Sequence, residues 1–156
     1  MATKKMAIIA TKGALDMAYP PLILASTAAA LGWEVQVFFT FYGLQLLRKD
    51  LSGIAISPLA NPAMPMPVPM PVIVSVLPGM QAMATSMMKA KMKKKGVASL
   101  TELRDLCQEA DVKFIACQMT VDLFEFDKND FITGIEYGGA ATFMKFAGET
   151  DVCLFI

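Results

Sequence analysis

From Leu51 to Met88 the chain carries no charged residue, and that span holds seven of the nine prolines. Its length and apolarity would suit a membrane-crossing helix. Pro58, Pro62, Pro65, Pro67, Pro69, Pro71 and Pro78, however, remove backbone donors whose loss hydrocarbon cannot make good. The span is therefore expected to lie outside a bilayer. Between Pro62 and Pro71 the Pro–Met alternation predicts an extended, polyproline-like strap, the centre of a Pro/Met-rich stretch at about 58–80. Val72 to Leu77 (VIVSVL) predicts a buried strand, ended by Pro78-Gly79. Apolar residues form 55% of the chain and mean hydropathy is +0.50, above the roughly 45–50% of ordinary soluble domains. A membrane or a large buried interface would account for the excess, and the buried interface is the milder expectation.

Outside this span short apolar runs alternate with helical patterns. Lys5 to Ala10 (KMAIIA) reads as a strand and Leu15 to Leu31 as a helix stopped by Gly32. Glu34 to Phe39 (EVQVFF) reads as a second strand, so the chain opens with a βαβ unit. A short helical stretch through Arg48 follows. A Met-rich helix runs from Met80 to Lys95, and Ser99 with Glu102 forms a capping box for a helix ending near Ala110. Val112 to Ala116 (VKFIA) is the next strand and delivers Cys117 at its carboxyl end; Gln118 turns into helix. Asp127 to Ile132 makes a short helical turn, Gly138-Gly139 opens a last helix through Phe146, and Asp151 to Ile156 closes the chain as a strand. The pattern predicts one α/β domain over residues 1–156, with a parallel sheet covered by helices on both faces.

Fourteen basic residues balance fourteen acidic ones and the pI is near 6.2, so no net field gathers nucleic acid. The N-terminal apolar run is too short for a signal-peptide core, so a cytoplasmic protein is expected. The chain has no histidine. That removes a Ser-His-Asp triad, a Cys-His pair and any imidazole-ligated metal within one chain. Three cysteines, Cys107, Cys117 and Cys153, cannot complete a four-thiolate site, and their odd number argues against a disulfide framework. Neither G-x-G-x-x-G nor a Walker A pattern is present, so nothing supports a nucleotide cofactor.

In open α/β sheets the working site lies beyond the carboxyl ends of the strands, where Cys117 falls. A helix beginning at Gln118 would turn its free N–H groups toward the sulfur and favour the thiolate. The alternative is that Cys117 is one more small buried hydrophobe. Cys107, on the preceding helix, lies about 12 Å away along the axis by the helix and strand rises, beyond disulfide reach, and is read as structural. Cys153 is expected in the core; were the last two strands neighbours, it would lie beneath Cys117. Lysines 89, 91, 93, 94 and 95 read as a solvated helix end, or as a dock for an acidic partner. Lys12, in the turn after the first strand, opens onto the carboxyl edge, where it could help hold an anion or a thiolate.

Five segments in order, Thr11-Lys12-Gly13-Ala14-Leu15-Asp16, Phe39-Thr40-Phe41-Tyr42-Gly43-Leu44, Leu77-Pro78-Gly79-Met80, Val112 to Met119 (VKFIACQM) and Tyr137-Gly138-Gly139-Ala140, resemble the DsrE/DsrF-like proteins, in particular their DsrE2 branch. The likeness spans nearly the whole chain, and the Pro-Met strap with its Lys-tailed helix is typical of that branch. The resemblance implies a flavodoxin-like, DsrE-like parallel sheet. It also implies a cytoplasmic sulfur-trafficking role, with sulfane sulfur or thiosulfonate carried on Cys117. TusA-like and rhodanese-like sulfur carriers are the implied partners, and a homo-oligomer the implied assembly. Some members of the branch are labelled peroxiredoxin-like, but the residues before Cys117 lack the Pro and Thr that activate a peroxidatic cysteine.

The function expected is that of a sulfurtransferase or sulfur carrier whose Cys117 thiolate takes sulfur from a donor and presents it to an acceptor thiol. No cofactor or metal is required. Gly138 and Gly139 are expected to bring backbone N–H groups to the anionic sulfur, with Lys12 supplying charge and Cys153 as an auxiliary thiol. The competing reading is a non-catalytic oligomeric or membrane-peripheral subunit that binds a partner through its Pro-Met surface.

Overall fold

The computed structural model describes residues 2–58, 65, 67, 68 and 71–156. Most of the predicted strap therefore lies outside the described residues. Five parallel strands form one sheet: β1 (Lys5–Ala10), β2 (Glu34–Phe39), β3 (Lys113–Cys117), β4 (Glu136–Gly138) and β5 (Val152–Phe155), in the order β4-β3-β2-β1-β5. The helices are α1 (Leu15–Ala30), α2 (Val72–Ser75), α3 (Met80–Lys94), α4 (Leu100–Glu109), α5 (Gln118–Leu123) and α6 (Ala140–Ala147), with 3₁₀ turns at Phe41–Leu47 and Lys128–Asp130.

Side chains alternate across the strands, and each face has its own cover. One face presents Ile8, Val37, Phe39, Phe114 and Ala116 to α1 and α4, with Leu22, Ala25 and Cys107 among the residues packed on it. The other presents Ala7, Phe38, Ile115 and Cys117 to α6, whose Phe143 stacks on Phe38 with ring centroids 5.0 Å apart. These apolar rows are why the strands read as continuous hydrophobic runs rather than as alternating ones.

Helix α4 begins at the predicted capping box: the Ser99 hydroxyl accepts from the Glu102 N–H at 3.2 Å, and the Glu102 carboxylate accepts from the Ser99 N–H at 2.6 Å. Buried Arg104 on α4 donates to the carbonyls of Leu46 and Arg48, tying down the end of the first 3₁₀ turn.

The charge-free span enters the core before it reaches the strap. Ile54 and Ile56 are buried; the Ile56 N–H donates to Thr85 on α3, and the Ser57 N–H donates to Asp16 at the start of α1. Further on, the buried strand expected over Val72–Leu77 is absent. Val72–Ser75 is a single helical turn with no buried residue, and Val72, Ile73, Val76 and Leu77 are exposed. A short apolar run does not distinguish strand from helix. Here the local geometry decides, with the Ser75 hydroxyl donating to the Val72 carbonyl at 2.6 Å. Among the described residues no helix is long and apolar enough to cross a membrane.

The last strand also departs from expectation. β5 pairs with β1 at the sheet edge opposite β4, Cys153 sits beside Ala7, and its side chain is exposed rather than in the core. Three strand spacings and four residues of register separate it from Cys117, roughly 20 Å in all. Cys153 is not beneath Cys117.

Candidate functional site

Cys117 is the last residue of β3 and the N-cap of α5. The strand carries it to the carboxyl edge of the sheet, and the chain turns at once into helix, leaving the residue 4% exposed in a cluster with Ile115, Phe38, Phe143 and Phe146. Burial is the largest single influence on its thiol and opposes ionisation. It is outweighed by donors: the Thr120 hydroxyl and N–H, the Thr40 hydroxyl and the Met119 N–H hold the thiol below its ordinary range. These donors face the sulfur without closing a regular side-chain cap bond. The influences on Cys117 are burial and hydrogen bonding, and no charged side chain contributes.

The two threonines form a unit. Their hydroxyl oxygens lie 3.2 Å apart, and the N–H of Phe41 donates to the Thr120 oxygen at 3.3 Å. Thr120 is completely buried. Phe41 takes a left-handed backbone conformation, φ 48°, a costly choice for a bulky residue. Around the mouth of the site Phe41 and Tyr42 pack on Phe124, with centroids 6.2 and 6.0 Å away, and Tyr42, Met119 and Leu123 are largely exposed.

Two glycines allow the β1 and β2 loops to lie against each other beside this mouth. A Cβ on Gly13 would collide with the Tyr42 carbonyl, and one on Gly43 with the Ala10 carbonyl. The glycines of the first two matching segments are thus explained by close backbone approach.

The nominated residues fall at different places. Gly138 is beside Cys117 in register, and a Cβ there would press on Thr142 at 3.3 Å. Gly139 is the N-cap of α6 with open space around it, so the structure brings backbone but not a required close contact to that point. Lys12 is exposed just past the end of β1, two strands from β3 or about 10 Å across the sheet. Cys107 is fully buried on α4, its Sγ donating to the Leu22 carbonyl at 3.4 Å, and burial pushes its thiol up to about 12. At the β3–α5 turn Lys128 donates to Gln118 Oε1 at 2.9 Å and lies 4.3 Å from the Tyr137 ring centroid.

Thr40, Thr120 and Lys128 were not singled out from the sequence. The one available signal was that Thr120 falls three residues into the turn after Cys117, where an N-terminal helical hydroxyl faces back toward the cap. Among the described residues no group of three or more Cys, Asp or Glu side chains is placed to hold a metal ion. The cleft lined by Gly13, Gln45, Arg48, Asp50 and Asn129 does not include Cys117.

Comparison with known proteins gives one consistent result. Residues 2–155 match the family model described as the DsrE/DsrF/DrsH-like family. The chain is 68% identical to the sulfur carrier protein DsrE2 of Allochromatium vinosum, with the whole of both chains covered. It is 32% identical to the uncharacterized protein YrkE of Bacillus subtilis, over 99% of this chain and 98% of that one. The solved structure of the ychN protein from E. coli superposes with a TM-score of 0.56 at 12% identity, covering 99% of this chain and 100% of that chain. At that identity the likeness concerns the fold.

Proposed function

The chain belongs to the DsrE/DsrF/DrsH-like family, and from that premise we propose that it is a sulfur carrier whose Cys117 accepts sulfur from a donor and passes it to an acceptor thiol. The observation that carries the reading is the thiol at the carboxyl end of β3, held below its ordinary range by neutral donors in a largely apolar surround. The sulfur carrier name of the 68% identical relative supports it.

The chemistry is two thiolate displacements. The Cys117 thiolate attacks the outer sulfur of a donor persulfide. The donor's S–S bond breaks, its pair leaves with the donor thiolate, and Cys117 holds a persulfide. An acceptor thiolate then attacks that outer sulfur, and the Cys117 thiolate is the leaving group. Neither step changes the net redox state. The apolar neighbours keep water from the loaded sulfur, while the hydroxyl and N–H donors stabilise the anion in both the empty and the loaded form. A TusA-like or rhodanese-like carrier is the proposed partner, and the mouth formed by Tyr42, Met119 and Leu123 is where its thiol would approach.

The test is intact-protein mass spectrometry after incubation with a persulfidated carrier, and separately with tetrathionate, from which Cys117 would displace thiosulfate and keep a thiosulfonate group. Peptide mapping then locates the adduct: wild-type protein is expected to carry it on the Cys117 peptide, at a rate above that of exposed Cys153, and Cys117→Ser to lose it there while remaining folded. Loading confined to Cys153, or a wild-type protein loaded by neither donor, overturns the reading.

A further inference from the structure

A thiolate in a chain without histidine must be set up by something other than the usual imidazole partner. No charged side chain takes that part at Cys117. We propose that the Thr40–Thr120 hydroxyl pair, held by the Phe41 N–H, is the positioning device that keeps Cys117 reactive, with Thr120 as its central residue. The proposal rests on the reading of Cys117 as the sulfur-bearing thiol.

The argument follows the protons. A threonine hydroxyl has one proton to give and two lone pairs to receive with. Thr120 is fully buried, so its capacity has to be met inside the protein. One lone pair receives the Phe41 N–H at 3.3 Å. The other receives the Thr40 proton when Thr40 points across the 3.2 Å gap. In that arrangement the Thr120 proton has no oxygen left to serve and is free for the sulfur it faces. When the thiol gives its proton to solvent, Thr40 can also turn from Thr120 to the sulfur, and a second donor meets the new charge. In both arrangements Thr120 keeps the Phe41 donor and its own proton stays directed at the sulfur.

The Phe41 N–H completes the device. Its direction is set by the peptide plane that follows Thr40, which is extended with φ −135° and ψ 157°, and it commits one Thr120 lone pair. Thr120 and Thr40 come from segments on adjacent strands, 80 residues apart, so the pairing is a product of sheet register.

The experiment is the pH profile of iodoacetamide labelling at Cys117, resolved from Cys107 and Cys153 by peptide mass spectrometry, in wild type, Thr120→Val, Thr120→Ser and Thr40→Val. Valine keeps the shape of threonine and removes the hydroxyl. Thr120→Val is expected to move the midpoint up by about one unit, slowing labelling about tenfold on the acid side of the curve. Thr120→Ser, which keeps the hydroxyl, should restore the wild-type profile, and Thr40→Val should give a smaller shift in the same direction. A folded Thr120→Val with the wild-type profile overturns the proposal, as does a Thr120→Ser displaced as far as the valine variant. Should Thr120→Val fail to fold, an unshifted profile in Thr40→Val overturns it equally. Sulfur loading is measured beside the profile. A shifted profile in a protein that no donor loads would refute the carrier reading and leave the hydroxyl device standing; loading with an unshifted profile would do the reverse.

Discussion

Cys107 and Cys117 are both buried, at 0% and 4% exposure, yet their surroundings drive the two thiols in opposite directions. Cys107 lies in the last turn of α4 against α1, where its S–H donates to the Leu22 carbonyl. Burial is the largest influence on it and outweighs the Ser26 N–H, which favours the thiolate, so the thiol rises to about 12. Cys117 lies where a strand ends and a helix starts, and there the unpaired backbone groups are N–H donors. With the two hydroxyls they override the loss of solvent at this shallower position. Exposure alone therefore says little about a cysteine. The balance between desolvation and the donors that face it decides which way its ionisation moves.

The largest expected effect is on relative labelling. Cys107 is pushed up to about 12 while Cys117 is held below the ordinary thiol range, so at neutral pH the thiolate is far more populated at Cys117. Peptide-resolved iodoacetamide labelling of native protein should modify Cys117 and leave Cys107 untouched until the fold opens. Comparable rates at the two sites would break the comparison.

A smaller effect appears in stability. The folded state raises the Cys107 thiol above its ordinary value, so the unfolded chain loses that proton at a lower pH than the folded one. The stabilisation is complete below the ordinary thiol range and is lost as pH rises toward about 12, on the order of 1 kcal/mol per pH unit. Urea denaturation as a function of pH should show this alkaline decline in wild type and lose that component in Cys107→Ala. An identical decline in both would assign it to other groups.

The smallest effect is expected at Lys12. It is exposed, and no charge figures among the influences on Cys117. Lys12→Ala should change the Cys117 labelling rate less than about twofold, since an exposed charge roughly 10 Å away is strongly screened. A tenfold loss would show that the loop after β1 closes on the site in solution, and would return Lys12 to the role its sequence position suggested.

How much of this was legible beforehand differs between the fold and the site. Strands β1 and β2, the capping box at Ser99 and Glu102, and the arrival of Cys117 at a strand end all follow from short-range pattern. Each depends on residues within a turn or two of one another. The three-residue β4 was too short to leave a pattern, and the apolar run at Val72 had the composition of a strand but the closure of a helical turn.

What the sequence by itself determined was the alternation of elements, the absence of imidazole chemistry and the placement of one cysteine at a carboxyl edge. Only the tertiary structure decided which partners that cysteine has. Thr40 reaches Thr120 because β2 and β3 are neighbours in register, and Cys153 is remote because β5 joins the far side of β1. Strand order and register are set by packing summed over two sheet faces, a long-range balance that no local run of residues encodes.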